Sequence, residues 1–251
     1  MVTALAAQDT RIAPLGWVLI VLRLALMLAL LLVCAPLHLL WRLLGLRRFW
    51  PRVFLAGVGS IAGLKLTRRG KRVPGALLLS NHVSWHDIPA LSHAANSAFV
   101  AHDGLSAHPF FKWLCEMNDT VFIARHNRAS VGEQARAMRE ALADGGTLTL
   151  FPEGTTGDGT QLLPFKSALL GAMEPLPEGA TVQPVLLEYA DPLAVAWIGD
   201  EPGVDYFKRT LARMKPVRLT VHFFPPLSGP DVADRKAMIA AAHSALARQM
   251  L

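Results

Sequence analysis

The sequence is poor in cysteine. Its 251 residues include only two, Cys34 and Cys115. One pair cannot build the disulfide framework of a small secreted protein, and two isolated cysteines do not have the spacing of a structural zinc site. We therefore expect both thiols to be packing groups in a protein of a reducing compartment.

Acidic residues are missing from a long part of the chain, because none occurs between Thr10 and His86. Basic residues follow the N-terminal apolar run in this region: Arg42, Arg47, Arg48, Arg52, Lys65, Arg68, Arg69, Lys71 and Arg72. Positive segments next to a membrane helix stay on the cytoplasmic side and attract anionic headgroups. We therefore expect the following domain to lie on the cytoplasmic side of the inner membrane. A cluster beside a lipid-seeking helix does not favour a nucleic-acid partner.

Several catalytic motifs are absent. No G-x-S-x-G sequence is present, which argues against a serine hydrolase of the nucleophile-elbow type. The glycines of GTTGDG, residues 154–159, do not have the spacing of a dinucleotide fingerprint. The histidines and carboxylates show no metal-ligand spacing, so we expect neither a metal nor a bound cofactor.

A long apolar run is present near the N-terminus. Arg23 and Arg42 are its only charged residues between Ile12 and Leu44, and Leu24–Leu40 carries no charge. Seventeen residues are at the short end of a membrane span, and no cleavage site of a signal peptide follows. We predict a retained membrane segment over residues 1–50, either a single span or a hairpin bent near Pro36, followed by one domain over residues 51–251.

That domain alternates short apolar runs with amphipathic stretches. The strand-like runs are Ala76–Leu79, Ala98–Ala101, Thr120–Ala124, Thr147–Phe151, Val182–Leu187 and Val217–Phe223. Val131–Leu142 has the period of an amphipathic helix. This order predicts an α/β fold with a mixed, largely parallel sheet flanked by helices, and polar clusters that follow three of the strands should meet at one edge.

The first polar cluster is NHVSWHD, residues 81–87. His82 can act as a general base if Asp87 orients it, and with no nucleophile elbow in the chain a substrate hydroxyl is the natural nucleophile. The alternative is an ordinary loop histidine followed by an aspartate that starts a helix. We expect Ser84 to cap a helix that begins near Trp85, and His86 to have no partner of its own.

The other two clusters are VFIARHN and FPEGTTGDG. Gly154 allows a ligand to approach the backbone, while Arg125 and Lys166 are candidates for binding an anion. For Glu153 the alternative is a surface position in a strand-end turn. For Arg125 and for Lys166 the alternative is a solvent-exposed basic side chain that binds no ligand.

Together these clusters resemble the glycerolipid acyltransferases, the lysophosphatidic acid acyltransferase family. NHVSWHD matches the family's N-H-x-S-x-x-D block and FPEGTT its F-P-E-G-T block, in the same order and at similar spacing. VFIAR resembles its arginine-bearing block and VQPVLL a later apolar block. The resemblance covers about Leu77–Leu187.

The resemblance implies a role for each matched residue. His82 would deprotonate a lysolipid hydroxyl with Asp87 as its orienting carboxylate, and the acyl group would come from a thioester on coenzyme A or acyl carrier protein. Arg125 and Phe122 would bind the anionic head of the acceptor. The remaining candidates for substrate binding are Asn81, Ser84, Glu153, Gly154, Thr155 and Lys166. Membrane lipids are the expected partners.

The acceptor is the open part of this resemblance. We expect 1-acylglycerol-3-phosphate first, but Asp119, Ala124 and Ala168 depart from that pattern, and FPEGTTGDG with PFKSAL looks more like the bacterial branch that acylates lyso-ornithine lipid. The other classes considered are a membrane-anchored lipid hydrolase or transacylase and a lipid-binding protein without catalysis. The missing elbow weighs against the hydrolase, and the intact pair His82 and Asp87 weighs against the binding protein.

Overall fold

A computed structural model describes residues 12–45, 49–102, 109–123, 131–142, 146–173, 176–177 and 179–250. The helices are α1 (Pro14–Leu43), α2 (Phe49–Ile61), α3 (Asp87–Ala95), α4 (Pro109–Met117), α5 (Val131–Leu142), α6 (Gly203–Leu211) and α7 (Arg235–Met250). The strands are β1 (Leu64–Arg69), β2 (Ala76–Ser80), β3 (Ser97–His102), β4 (Val121–Ile123), β5 (Thr147–Leu150), β6 (Thr181–Tyr189) and β7 (Val217–Phe223). Short 3-10 helices occupy Ser167–Met173 and Gly229–Val232.

The strands form one seven-stranded sheet in the order β1-β7-β6-β2-β5-β3-β4. Every neighbouring pair is parallel except β6 and β7, which are antiparallel. This confirms the predicted mixed, largely parallel sheet. Sequence analysis missed β1, whose sequence LKLTRR reads as a basic stretch. β1 is an edge strand that pairs only with β7 within the described residues, so its side chains need not be apolar.

The core lies on both faces of the central strands. β2 is buried at every position, as expected for a strand covered on both sides. On one face Leu78 belongs to a cluster with the apolar side of α3. On the other face Leu77 and Leu79 pack in a second cluster with residues of α5 and α7. The sheet therefore provides a rigid support for the loops that leave the carboxyl ends of β2 and β5.

The N-terminal segment is a pair of packed helices. α1 has 30 residues, continues through Pro36, and is long and apolar enough to cross a membrane by length and composition. α2 packs against it, and a Cβ placed on Gly57 would lie 2.5 Å from Cδ2 of Leu30, so a larger residue there would displace the Leu30 side chain. The division predicted at residue 50 falls in the first turn of α2.

Candidate active site

His82 and Asp87 meet because the chain turns back between the end of β2 and the start of α3. Nδ1 of His82 donates to Oδ2 of Asp87 at 2.7 Å, and the same oxygen accepts the backbone N–H groups of Val83 (2.8 Å) and Ser84 (3.0 Å). Asp87 is fully buried, whereas the His82 side chain is 22% exposed. Since a carboxylate only accepts, the proton of His82 is on Nδ1, and Nε2 is the nitrogen that can accept another.

The second oxygen of Asp87 is occupied by a residue that sequence analysis missed. The hydroxyl of Tyr189, at the end of β6, donates to Oδ1. Burial, reinforced by the negative charge of Asp87, raises the pKa of Tyr189 well above its ordinary value of 10, so the phenol stays a neutral donor. The sequence signal was weak: Tyr189 is one of only two tyrosines and follows the VQPVLL block.

An aromatic stack supports the imidazole from the F-P-E-G-T strand. The His82 ring lies on Phe151 with centroids 4.1 Å apart and an interplanar angle of 18°, and Phe151 in turn stacks against Phe99. The ring is therefore held by a hydrogen bond at its edge and by a packed face. Such a fixed orientation suits a base that must point one nitrogen at a substrate.

Glu153 joins the first and third polar clusters. Oε2 accepts the backbone N–H of His82 at 3.0 Å, and Oε1 accepts that of Leu163 at 3.2 Å. Burial raises the pKa of Glu153 to about 7, although the two amide hydrogen bonds act in the opposite direction. The alternative of a surface glutamate was wrong, because the side chain is buried and joins the loop after β2 to the loop after β5.

Comparison with known proteins places this geometry in a family. The acyltransferase family model matches residues 63–188, about half of the chain, and the matched region contains both polar blocks. A protein named lyso-ornithine lipid O-acyltransferase from Rhodobacter capsulatus is 34% identical over 196 residues, which cover 74% of this chain and 70% of that one. The chain belongs to the acyltransferase family.

Two further relatives of this acyltransferase differ in the acceptor for which they are named. A lyso-ornithine lipid O-acyltransferase of Brucella abortus is 33% identical over 77% of this chain and 79% of its own. A 1-acyl-sn-glycerol-3-phosphate acyltransferase of Neisseria gonorrhoeae is 37% identical over 55% and 56%. The crystal structure of the LPA acyltransferase PlsC from Thermotoga maritima has a TM-score of 0.67 at 20% identity and covers 94% of both chains, which shows a shared fold.

Three polar residues of the first block of this acyltransferase are tied into the protein interior. Asn81 bridges to β6, where its amide donates to Leu187 O (3.1 Å) and its carbonyl accepts Leu187 N–H (2.7 Å). Oγ of Ser84 lies 2.9 Å from Nδ1 of His86 and 2.7 Å from the hydroxyl of Tyr206. All three side chains are buried and bonded within the protein, so Asn81 and Ser84 support the loop and are not exposed to a substrate.

Two local expectations for this block need correction. The helix begins at Asp87, two residues later than predicted, and Ser84 caps only the His86 N–H, at 3.3 Å. His86 does have a partner, Ser84. Burial lowers the pKa of His86 to about 4, so it is neutral at pH 7. It therefore adds no positive charge beside His82 and Asp87.

The remaining candidates lie at differing distances from the pair. Gly154 adopts a positive φ of 71° in the turn after β5, and Thr155 and Lys166 are exposed. Phe122 is half-buried in β4, which lies beyond β3 at the far edge of the sheet, and the polar part of the second cluster, residues 124–127, lies outside the described residues. Arg125 lies outside the described residues. Among the residues that the structure describes, no group of three His, Cys, Asp or Glu side chains is placed to hold a metal.

Proposed function

We propose that this acyltransferase transfers a fatty acyl group from a thioester to the free hydroxyl of a lysolipid. The observation that carries the proposal is the imidazole of His82, fixed by Asp87 at Nδ1 and partly exposed to solvent. A single base of this kind, without a protein nucleophile, suits direct attack by the hydroxyl of a substrate.

The reaction follows from that arrangement. Nε2 of His82 takes the proton of the lysolipid hydroxyl as its oxygen attacks the thioester carbonyl carbon. The tetrahedral intermediate collapses, the C–S bond breaks, and the thiolate takes the proton from the imidazolium. An ester and a free thiol result, with no covalent acyl-enzyme. The buried Asp87 stabilises the transient positive charge on the imidazole.

The position of Ser84 argues against the hydrolase alternative. A serine nucleophile must present its oxygen to Nε2 of the base. Ser84 is fully buried and bonded to His86 and Tyr206, and His82 is turned toward Asp87. Ser84 therefore supports the loop, and the attacking oxygen comes from the substrate.

For the acceptor we propose lyso-ornithine lipid first and 1-acylglycerol-3-phosphate second, the reverse of the order expected from sequence. The relatives that align over most of this chain are named for the former activity, and those named for the latter align over about half of it. The PFKSAL stretch, with Ala168, supports the same order.

For the cellular setting we propose an enzyme of the inner membrane with its α/β domain in the cytoplasm. The apolar α1 supports membrane association, and the basic residues after it support the cytoplasmic side. Acyl-CoA or acyl carrier protein would then be available as thioester donor on the side where the domain lies.

The test is acyl transfer by the purified protein in detergent. Labelled acyl-CoA and acyl carrier protein are each offered with lyso-ornithine lipid and with lysophosphatidic acid, and the labelled product is identified by mass. We expect transfer to lyso-ornithine lipid at the higher kcat/KM. Preference for lysophosphatidic acid would reverse the acceptor order, and release of free fatty acid without an acylated lipid would support the hydrolase.

The matched variants are His82→Ala and His93→Ala. His93 is an exposed histidine on α3, the helix that begins with Asp87, and has no part in the proposed chemistry. We expect His82→Ala to lower kcat by about 10²–10⁴-fold, the range for loss of a general base, and His93→Ala to leave it unchanged. Equal activity of the two variants would remove His82 from the mechanism.

A further inference from the structure

The membrane helix makes a specific polar contact with α6. Nη1 of Arg23, one of two charged residues in α1, donates to the carbonyl oxygens of Leu211 (2.6 Å) and Arg213 (2.9 Å). Leu211 is the last residue of α6, so the guanidinium satisfies carbonyls that a helix end leaves free and complements the negative end of its dipole. Burying a charged side chain within a membrane helix costs free energy unless it is paired with polar groups such as these carbonyls.

The helix α6 also holds the segment from His82 to Asp87, the catalytic loop. The hydroxyl of Tyr206 lies 2.7 Å from Ser84 Oγ, accepts the backbone N–H of Trp85 at 3.2 Å and donates to Val195 O at 3.0 Å. One turn further, Oγ1 of Thr210 accepts the indole N–H of Trp85 at 2.9 Å. Two side chains of α6 thus bind the segment between His82 and Asp87.

A second connection runs through the loop that precedes α6. Arg209 forms a bidentate ion pair with Glu201 at 2.8 Å and donates to Ala194 O and Ala196 O, which fixes α6 to this loop. The loop in turn donates from the backbone N–H of Trp197 to Val83 O at 3.0 Å. α6 and its preceding loop therefore both hold the segment of Val83, Ser84 and Trp85.

From these contacts we infer that Arg23 and Tyr206 are positioning residues, through which the membrane helix α1 fixes the geometry of the catalytic pair. The backbone N–H groups of Val83 and Ser84 are two of the donors that hold Asp87 Oδ2. A shift of this segment moves those donors relative to Asp87 and so changes how His82 is held. α1 is then part of the catalytic apparatus and not only an anchor.

The inference rests on the proposed function for its kinetic readout, so a second readout is independent of activity. The variants are Tyr206→Phe, which keeps the ring that stacks on Trp197, and Arg23→Gln, with Arg23→Lys as the conservative replacement. Two controls match them: Lys208→Ala, whose partner is Asp205 on the same helix, and Arg42→Ala, the exposed arginine of α1. Each full-length protein is studied in detergent by steady-state kinetics and by amide hydrogen exchange of the peptides covering residues 81–90, α6 and α1.

We expect Tyr206→Phe and Arg23→Gln each to lower kcat about 10-fold, with KM for the lysolipid within about twofold. Tyr206→Phe removes the hydrogen bonds to Ser84 and Trp85, and Arg23→Gln removes those that hold the end of α6. Exchange in residues 81–90 should rise about 10-fold, Arg23→Lys should recover part of both effects, and the controls should match the wild type. Because the two residues act through one path, the double variant should be no worse than the more impaired single variant.

Three results would overturn the inference. They are wild-type kcat and exchange in Tyr206→Phe, faster exchange in Arg23→Gln that is confined to α6 and α1, and effects of the two substitutions that multiply in the double variant. If the wild-type protein transfers no acyl group, the proposed function fails, while the exchange data still decide whether α1 holds the catalytic loop.

Discussion

At the scale of single residues, the site is defined by how completely the carboxylate of Asp87 is satisfied. It accepts from the imidazole of His82, from the backbone N–H groups of Val83 and Ser84, and from the hydroxyl of Tyr189. A buried carboxylate with this many donors is held in one orientation, and it holds the imidazole in turn. Within the part of the chain that the structure describes, Tyr189 is the hydrogen-bond partner of Asp87 that comes from a distant part of the sequence.

Tyr189→Phe tests that partner. Removing the hydroxyl leaves Oδ1 of the buried Asp87 without its donor, so we expect kcat to fall about 10-fold through poorer orientation of His82, with KM little changed. The measurement is steady-state acyl transfer. In a His82→Ala background the same change should have no further effect, because Tyr189 acts only through the pair. A full additional loss in that background would show a separate role for Tyr189.

Glu153→Gln tests the buried clamp through the pH dependence of stability. The pKa of Glu153 is raised to about 7 in the folded protein from an ordinary 4.5. The contribution of Glu153 to the free energy of unfolding is therefore fully present below the unfolded pKa of 4.5 and is lost as pH rises through the folded pKa of about 7. The neutral amide of Gln removes this dependence. We expect the thermal midpoint of the wild type to fall relative to that of Glu153→Gln between pH 5 and pH 8.

The control for this substitution is Glu140→Gln, at an exposed glutamate of α5 paired with Arg136. Its thermal midpoint should follow that of the wild type across the same range. A wild-type midpoint that rises from pH 5 to pH 8 relative to Glu153→Gln would contradict the assigned direction of the Glu153 shift.

At the scale of elements, the site is built where two neighbouring parallel strands end. The loops after β2 and β5 are joined by the backbone N–H of Gly157, which donates to His82 O at 2.7 Å, in addition to the clamp of Glu153. Gly159 continues this contact with a positive φ of 76°, and a Cβ there would lie 2.8 Å from Pro192 Cβ and 3.1 Å from Val83 Cγ1. Close loop packing thus depends on glycine.

Gly159→Ala tests this packing, and Gly229→Ala is its matched control. Gly229 also has a positive φ, 58°, but nothing lies within 4 Å of a Cβ placed on it. Both variants carry a backbone strain of about 1–2 kcal/mol from an L-residue at positive φ, whereas only Gly159→Ala pushes against Val83 in the catalytic loop. We expect a clearly lower kcat and thermal midpoint for Gly159→Ala than for Gly229→Ala. Equal kcat and equal thermal midpoints in the two variants would show that the loops can move apart without loss of stability or activity.

At the scale of the whole molecule, an apolar helix pair adjoins an α/β domain with an ordinary core. Leu28 and Leu32 of α1 are 56% and 66% exposed, so the protein itself does not cover these apolar side chains. In contrast, Ile20 is buried with Ala62 and Leu211 against the domain. One side of α1 therefore belongs to the domain, and the other faces the proposed membrane.

The double variant Leu28→Asp/Leu32→Asp tests the exposed side. Each acidic group at the centre of a membrane helix costs about 3 kcal/mol, so we expect the protein to be released from sedimented membranes by high-pH carbonate while the wild type is retained. Leu28→Ala/Leu32→Ala shortens the same side chains without adding charge and should remain with the membrane. Retention of the aspartate variant would mean that this side of α1 does not contact lipid.

Prediction from sequence succeeded where the signal was local or periodic. β7 and α5 have the bounds that their alternation and helical period predicted, Val217–Phe223 and Val131–Leu142. β1 was missed because an edge strand does not need the apolar pattern on which the prediction depends. The helix α5 and the polar FPEGTTGDG block were recognisable because each is encoded by adjacent residues.

By itself the sequence determined the apolar N-terminal segment and the alternating α/β pattern, and it made His82 and Asp87 candidates for a pair. Their separation of five positions brings the two side chains together only if the chain turns between them, and the structure shows that turn. Only the tertiary structure decided that Tyr189, more than a hundred residues away, donates a hydrogen bond to the second carboxylate oxygen of Asp87. It also decided that Glu153 is buried against the backbone of His82. Such contacts depend on which strands become neighbours in the sheet. Strand order is set by packing of the whole domain, so no local pattern reports it.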